Sequence, residues 1–215
     1  KSGITPKLAV IMVGNNPASK VYVKNKSKAC DEVGIEYEEY ILEENIKQEQ
    51  LKNLIEKLNK DNTINGILLQ SPLPANLDIN EAIKKIDYNK DVDGFHPMNI
   101  GKLVLGQDTF VSCTPYGIMR LFEEYKIELS GKNVVILGRS NIVGKPLMQC
   151  CINKNATVTV CHSKTKEIEQ KLNIRDVDLL KVGHHGSHSS SSKPFIDKIN
   201  PEYAVILVGE DNKYG

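Results

Sequence analysis

The segment Val134–Pro146, VVILGRSNIVGKP, constrains the fold most tightly. Val134–Leu137 is a short apolar run rich in β-branched residues, the composition of a strand buried on both faces. It breaks on Gly138-Arg139-Ser140, and helix-forming residues resume near Ile142. A strand that ends on glycine and opens a helix directs unpaired backbone N–H groups at one spot, which suits a phosphate. Gly138 and Gly144 would let the backbone approach a pyrophosphate and let the helix pack closely on its sheet. The spacing is not G-x-G-x-x-G, so the glycines alone are a weak signal.

A second strand, Thr157–Cys161, follows one helix later and ends in His162-Ser163-Lys164. A site that prefers NAD usually places Asp or Glu here to accept the ribose 2′-OH. This chain offers hydroxyl and cationic groups instead, and Arg139 sits in the preceding loop. The pattern favours a 2′-phosphate, and so NADP as the cofactor. The same residues also fit a plain βαβ unit ending in a solvated basic turn, because fold does not dictate function.

At 215 residues the chain has enough core for one large domain or two small ones. Charged residues make up 26% and the formal net charge is +1, so neither nucleic acid nor a membrane surface is an expected partner. No run approaches the ~20 apolar residues needed to span a bilayer. There is no signal peptide, and the chain begins at Lys1 without Met, so loss of an upstream piece is expected. The five cysteines, Cys30, Cys113, Cys150, Cys151 and Cys161, show no C-x-x-C spacing. Reduced thiols in a cytoplasmic protein are the expectation.

From the N-terminus, strands and helices alternate. Lys7–Val13 reads as a buried strand, Gly14–Pro17 as a turn, and Ala18–Val33 as a helix ended by Gly34. Tyr37–Ile41 makes a second strand and Lys47–Asn59 a helix with apolar Leu51, Leu54, Ile55 and Leu58 on one face. Gly66–Gln70 is a third strand, closed by Ser71-Pro72-Leu73-Pro74. Ile79–Ile86 reads as a short helix and Asp91–Gly94 as a turn. Thr114-Pro115 then opens a helix through Tyr125, with Thr as N-cap and Pro at the first helical position. The expected class is parallel α/β in two lobes. An N-terminal catalytic lobe takes residues 1–113, a linking helix 114–126, and a Rossmann-like NADP-binding lobe 127–215.

Three groups in the first lobe are candidates for chemistry. Tyr22 and Lys26 lie four apart and share a helix face. A lysine beside a tyrosine at a cleft donates or accepts a proton when burial lowers its pKa. A surface lysine beside a half-buried tyrosine fits the spacing as well, with Lys24 and Lys28 close by. Gln70 ends a strand, where α/β sheets put their ligand crevice, but an amide there also tethers loops. Asp93 precedes Gly94 on a tight turn, which turn chemistry alone explains.

Taken together, these residues resemble the bifunctional methylenetetrahydrofolate dehydrogenase/cyclohydrolase family. The resemblance covers Lys7 to about Lys166. It rests on VGNNPASKVYVKNKSKAC, GILLQSPLP, DVDGFHPMNIGKL, CTPYGI, GRSNIVGKP and ATVTVCHSKT, in that order. It implies that Lys26 is the catalytic lysine, that Tyr22 positions the folate, and that Gln70 hydrogen-bonds the lysine. By the same resemblance Asp93 holds the pterin ring, while Arg139, Ser140 and Ser163 lie near the NADP phosphates; Gly138, Gly144 and His162 are expected beside them as cofactor-binding residues. It further implies oxidation of methylenetetrahydrofolate and hydrolysis of the methenyl product to 10-formyltetrahydrofolate, in one-carbon metabolism feeding purine biosynthesis. A homodimer with its cleft between the lobes is expected. Hydride loss leaves an iminium-like cation, so no metal ligand is implied; two flat rings must be held face to face.

Beyond about Lys166 the chain departs from that pattern, and the P-G-G-V-G-P segment of the family is absent. The tail instead carries GHHGS at Gly183–Ser187 and VGEDNKYG at Val208–Gly215. These resemble the end of the metallo-β-lactamase-like domain of competence-type DNA-uptake proteins, as if two genes were joined. His184, His185 and His188 could suggest a metal site. A catalytic zinc needs about three protein ligands, and the H-x-H-x-D-H segment that supplies most of them is missing, so a serine-rich loop is the expectation. Val177–Val182 and Tyr203–Val208 read as strands around a helix at Lys193–Ile199, placed where the nucleotide sheet needs its next two strands.

Overall fold

The computed structural model describes residues 3, 5–166, 177–181, 197 and 200–205. The chain divides into two units, Lys1–Lys102 and Leu103–Gly215.

In the first unit β1 (Lys7–Val13) is the middle strand of a parallel sheet, between β2 (Glu36–Leu42) and β3 (Gly66–Leu69). Its seven residues are apolar after the first because side chains of a central strand alternate into two cores. Ala9, Ile11 and Val13 pack with Leu51, Ile55 and Leu58 of α2 (Gln48–Lys60), whereas Val10 and Met12 face Val23 of α1 (Pro17–Val33). Asn16 caps α1, its side-chain oxygen accepting from the Ser19 N–H at 3.1 Å, and Pro17 takes the first helical position. Gly34 ends the helix at φ 74°, a left-handed conformation that costs a residue with a Cβ. Lys90 closes the end of α2, its Nζ donating to the carbonyls of Leu58, Asn59 and Asp61 at 3.1, 2.8 and 2.8 Å.

A short α3 (Ile79–Lys85) follows, capped by Asp78, and then α4 (Pro97–Val104), which the residue pattern does not announce. The second unit opens onto α5 (Cys113–Glu124). That helix begins two residues before the expected first position Pro115, with Ser112 rather than Thr114 at the cap position, and Pro115 is its third residue. The Ser112 hydroxyl is drawn elsewhere, donating to the Ile142 carbonyl at 2.9 Å. The segment 114–126, expected as a link between lobes, lies in the second unit. Ile118 and Phe122, four apart on one face, bury against Leu129, Ile136 and Leu147.

The second sheet is parallel, in the order β5-β4-β6-β7: β4 (Asn133–Leu137), β5 (Thr157–Cys161), β6 (Leu179–Lys181) and β7 (Tyr203–Val205). The chain leaves β4 through α6 (Gly144–Asn153) to β5 on one side and returns to β6 on the other. Such a reversal next to the first strand is the topological switch point of a doubly wound sheet. The expected tail strands are present, with Leu179 and Leu180 buried beside Val134 and Val135. Their expected ends at Val182 and Val208, and nearly all of the expected helix at 193–199, lie outside the described residues. So do His184, His185 and His188. At the N-terminal end of this sheet, Lys132 Nζ meets Asp178 Oδ1 at 3.2 Å and Glu202 Oε2 at 3.1 Å. Asp178 Oδ2 accepts from the Asn133 N–H at 2.7 Å.

Candidate active site

The sequence candidates fall on one end of each sheet. In the first unit, Gln70 continues β3 and its N–H donates to the Ile11 carbonyl at 2.8 Å, so its position is set by the sheet. Its amide is spanned in both senses: Nε2 donates to the Ser71 carbonyl at 2.7 Å, and Oε1 accepts from Lys26 Nζ at 3.0 Å. The first bond fixes which end of the amide faces the lysine. Lys26 lies on the sheet-facing side of α1 with buried Ser19, Val23 and Cys30, which explains how a residue among several lysines is singled out. Tyr22, one turn earlier, is 62% exposed and its ring reaches solvent.

Asp93 sits in the turn after Asp91, followed by Gly94 at φ 66°. Its carboxyl is pushed up to about 6. Burial does most of this, Lys26 works against it, and Asp91 adds to it. Lys26, Gln70 and Asp93 therefore form one constellation. A cavity of about 310 Å³, which none of the three lines, opens at the end of β1 between Gly14–Asn16 and Pro72–Pro74, with Glu44. The Ser71–Pro72 bond there is cis. Two contributors were not singled out in the sequence. Ser19 is 2% exposed and donates to the Ser71 carbonyl at 3.4 Å, and Asp91 is as deeply buried. The signal for Asp91 was available as the first acid of D-V-D-G.

In the second unit, Leu137 pairs with Cys161, so Gly138–Ser140 and His162–Lys164 leave adjacent strand ends together. The Gly138 N–H donates to the Cys161 carbonyl at 2.7 Å, and its φ of 120° suits glycine. Gly144 is required by contact: a Cβ there would stand 2.3 Å from the Gly138 carbonyl oxygen. The turn 141–143 delays α6 to Gly144, two residues past the expected Ile142. Ser140 explains the delay. Its Oγ accepts from the N–H of Val143 at 3.1 Å and Gly144 at 3.3 Å, and its carbonyl from Lys145 N–H at 3.0 Å. The helix amides nearest the loop are thus satisfied internally, and the exposed Arg139 and Ser140 are the loop's outward groups. After β5, Thr165 closes the second turn: its Oγ1 accepts from the His162 N–H at 2.9 Å, while His162 Nδ1 accepts from Lys164 N–H at 3.1 Å. Ser163 and Lys164 are exposed there.

A doubly wound sheet with a glycine loop at its switch point, joined in one chain to an α/β unit with a lysine–amide pair, defines a two-domain nucleotide-binding protein. The chain belongs to the tetrahydrofolate dehydrogenase/cyclohydrolase family. The model of the family's catalytic domain matches residues 1–93, and that of its NAD(P)-binding domain matches residues 112–213, across the tail. The bifunctional protein FolD of Acetivibrio thermocellus is 50% identical over 209 residues, covering 97% of this chain and 71% of that protein. FolD of Geotalea daltonii is 52% identical over 181 residues, 84% of this chain and 65% of its own length. The chain thus spans about two thirds of the length of the curated relatives it matches. Among solved structures, FolD of Campylobacter jejuni superposes with a TM-score of 0.86 at 40% identity, covering 96% of this chain and 82% of that one. FolD of Trypanosoma brucei, solved with NADP and an inhibitor, superposes at 0.81 with 28% identity, covering 96% and 81%.

Proposed function

We propose that this chain oxidises methylenetetrahydrofolate with NADP⁺ and hydrolyses the methenyl product to 10-formyltetrahydrofolate. The observation that carries this reading is the 3.0 Å hydrogen bond from Lys26 to Gln70, beside Asp93, within the family's catalytic domain. The first unit takes the folate and the second takes the nucleotide.

The residues of the second unit fit NADP. A Cβ on Gly138 would meet nothing within 4 Å, so the loop is open at that glycine, and Arg139 with Ser163 and Lys164 supplies charge and donors where an NAD site would place an acid. When bound, NADP⁺ takes up the hydride from the folate's methylene carbon. Asp93, as a carboxylate, accepts hydrogen bonds from the pterin, and Tyr22 packs on the folate. In the hydrolytic step water adds to the methenyl carbon and its oxygen gives up both protons, one released to solvent and the other passed to the ring nitrogen whose C–N bond breaks. Lys26 moves the proton between the added water and the nitrogen, and Gln70 holds its Nζ without adding charge. Replacing Lys26 by Ala is expected to abolish hydrolysis of methenyltetrahydrofolate; hydrolysis at the parent rate would refute the assignment.

The tail supports a second reading. Its GHHGS and VGEDNKYG motifs resemble a metallo-β-lactamase-like domain, and we propose that the segment was exchanged into the nucleotide unit while keeping the strand positions. Metal analysis of the purified chain tests whether hydrolase chemistry came with it. Near-stoichiometric zinc is the outcome a hydrolase site requires, and none is expected here. We also place the protein in the cytoplasm, on a cysteine pattern without C-x-x-C spacing that reads as reduced thiols, and as a homodimer, on the exposed edge strand β2 with Ile41 61% exposed. Sedimentation at twice the chain mass is the expected result.

A further inference from the structure

Two residues before Asp93, a second aspartate has no part in the reaction as read above. Asp91 is 2% exposed, and one of its oxygens gathers the segment around it. Oδ2 accepts from the His96 N–H at 2.7 Å and from Asn99 Nδ2 at 2.9 Å. The same Asn99 amide donates to the Tyr88 carbonyl at 2.9 Å, so residues on both sides of the turn are tied to one carboxylate. The backbone adds to this. Asp91 bridges to Ile67 of β3, its carbonyl accepts from the Gly94 N–H at 3.2 Å, and its neighbour Lys90 is anchored to the end of α2.

Resting on the folate reading, we propose that Asp91 is a positioning residue: its buried carboxylate fixes the turn that presents Asp93 to the substrate and stands as a negative charge behind it. A buried carboxylate is costly, and an apolar side chain would fill the space more cheaply. Its presence beside Asp93 is explained if it serves that acid. The charged groups that bear on Asp93 among the described residues are Lys26, from α1, and Asp91, from its own segment. They act in opposite senses. Lys26 favours the carboxylate and Asp91 the acid, while burial also favours the acid.

The two contributions of Asp91 are separable because both hydrogen bonds converge on a single oxygen. Asp91→Asn keeps an oxygen to accept them and removes the charge, whereas Asp91→Ala removes both. The experiment follows the Asp93 carboxyl by carbon-13 NMR in aspartate-labelled chain, assigned by its loss in Asp93→Asn, together with steady-state kinetics on methylenetetrahydrofolate. Asp91→Asn is expected to fold, to keep KM within about twofold, and to move the Asp93 titration downwards from the parent. Asp91→Ala is expected to raise KM about tenfold with kcat little changed, the equivalent of ~1.4 kcal/mol, restored by Asn. An Asp93 titration that Asp91→Asn leaves in place overturns the proposal, as does an unchanged KM in Asp91→Ala. A parent without folate turnover would refute the folate reading; the titration in the Asn variant would still decide the placement of Asp91.

Discussion

At the scale of single residues, the site trades stability for function. Asp93 titrates at about 6 in the folded chain, above its ordinary value, because it is buried. A group whose folded pKa is raised contributes stability that is fully present below its unfolded pKa and is lost as pH rises through the folded one. The Asp93 carboxylate therefore costs stability at neutral pH. Asp93→Asn is expected to stabilise the chain by about 1–3 kcal/mol at pH ~7, with the gain fading towards pH ~4, read by denaturant unfolding at both. The same variant is expected to lose folate affinity, and the parent's affinity to weaken as pH falls through the Asp93 titration. Lys26 and Gln70 were each nameable from sequence, but their bond, which joins residues 44 apart, followed only from the family resemblance and not from the residue pattern, because the sheet is what brings them together. The tilt of the amide was not legible, because it depends on the Ser71 carbonyl. Asp91 was passed over for a related reason: D-V-D-G reads as a turn, and only burial distinguishes its two acids.

At the scale of elements, buried strands were the most legible, because β1 and β4 are continuous apolar runs with few alternatives. Ends were less so. The side chains that set them act across the fold, as when Ser112 gives its hydroxyl to Ile142 rather than to α5. Helix α4 went unread because Pro97 and Gly101 look like breakers, although Pro is well placed at a first turn. The loop into α6 makes a sharp prediction. Gly144→Ala puts a methyl against the Gly138 carbonyl, backbone that cannot yield as a flexible side chain would. The variant is expected to lose about 2 kcal/mol or more and to lose NADP⁺ binding, checked by thermal melting with and without nucleotide. Asp178 secures the start of β4, and its carboxyl is held below the ordinary range, first by the Asn133 N–H and then by Lys132. Its contribution is present above the unfolded pKa and is lost as pH falls through the lower folded one. Asp178→Ala is expected to cost about 1–2 kcal/mol at neutral pH and progressively less in acid, by unfolding at the two extremes.

At the scale of the whole molecule, the tail is where sequence and structure diverge most usefully. Its motifs from about Lys166 lead to the expectation of a foreign segment, yet the family's NAD(P)-binding model runs across it to residue 213, and its apolar runs supply two strands. The apolar runs decide its place, because Leu179 and Leu180 fill positions beside β4 that any pair of buried apolar residues could take. The division into two units was legible as two rounds of strand–helix alternation. Its position was not, since α5 joins the second unit through a core face that only packing reveals. The central proposal is that this one chain takes both NADP⁺ and methylenetetrahydrofolate. The most direct test is NADP⁺ reduction by the purified chain in the presence of methylenetetrahydrofolate, followed by the absorbance of the reduced cofactor, beside Arg139→Ala. Folate-dependent reduction is predicted, with the Arg139 variant raising KM for NADP⁺ about tenfold or more, as loss of a charge-assisted phosphate contact requires. Bound NADP⁺ without reduction, or reduction that prefers NAD⁺, would contradict the account.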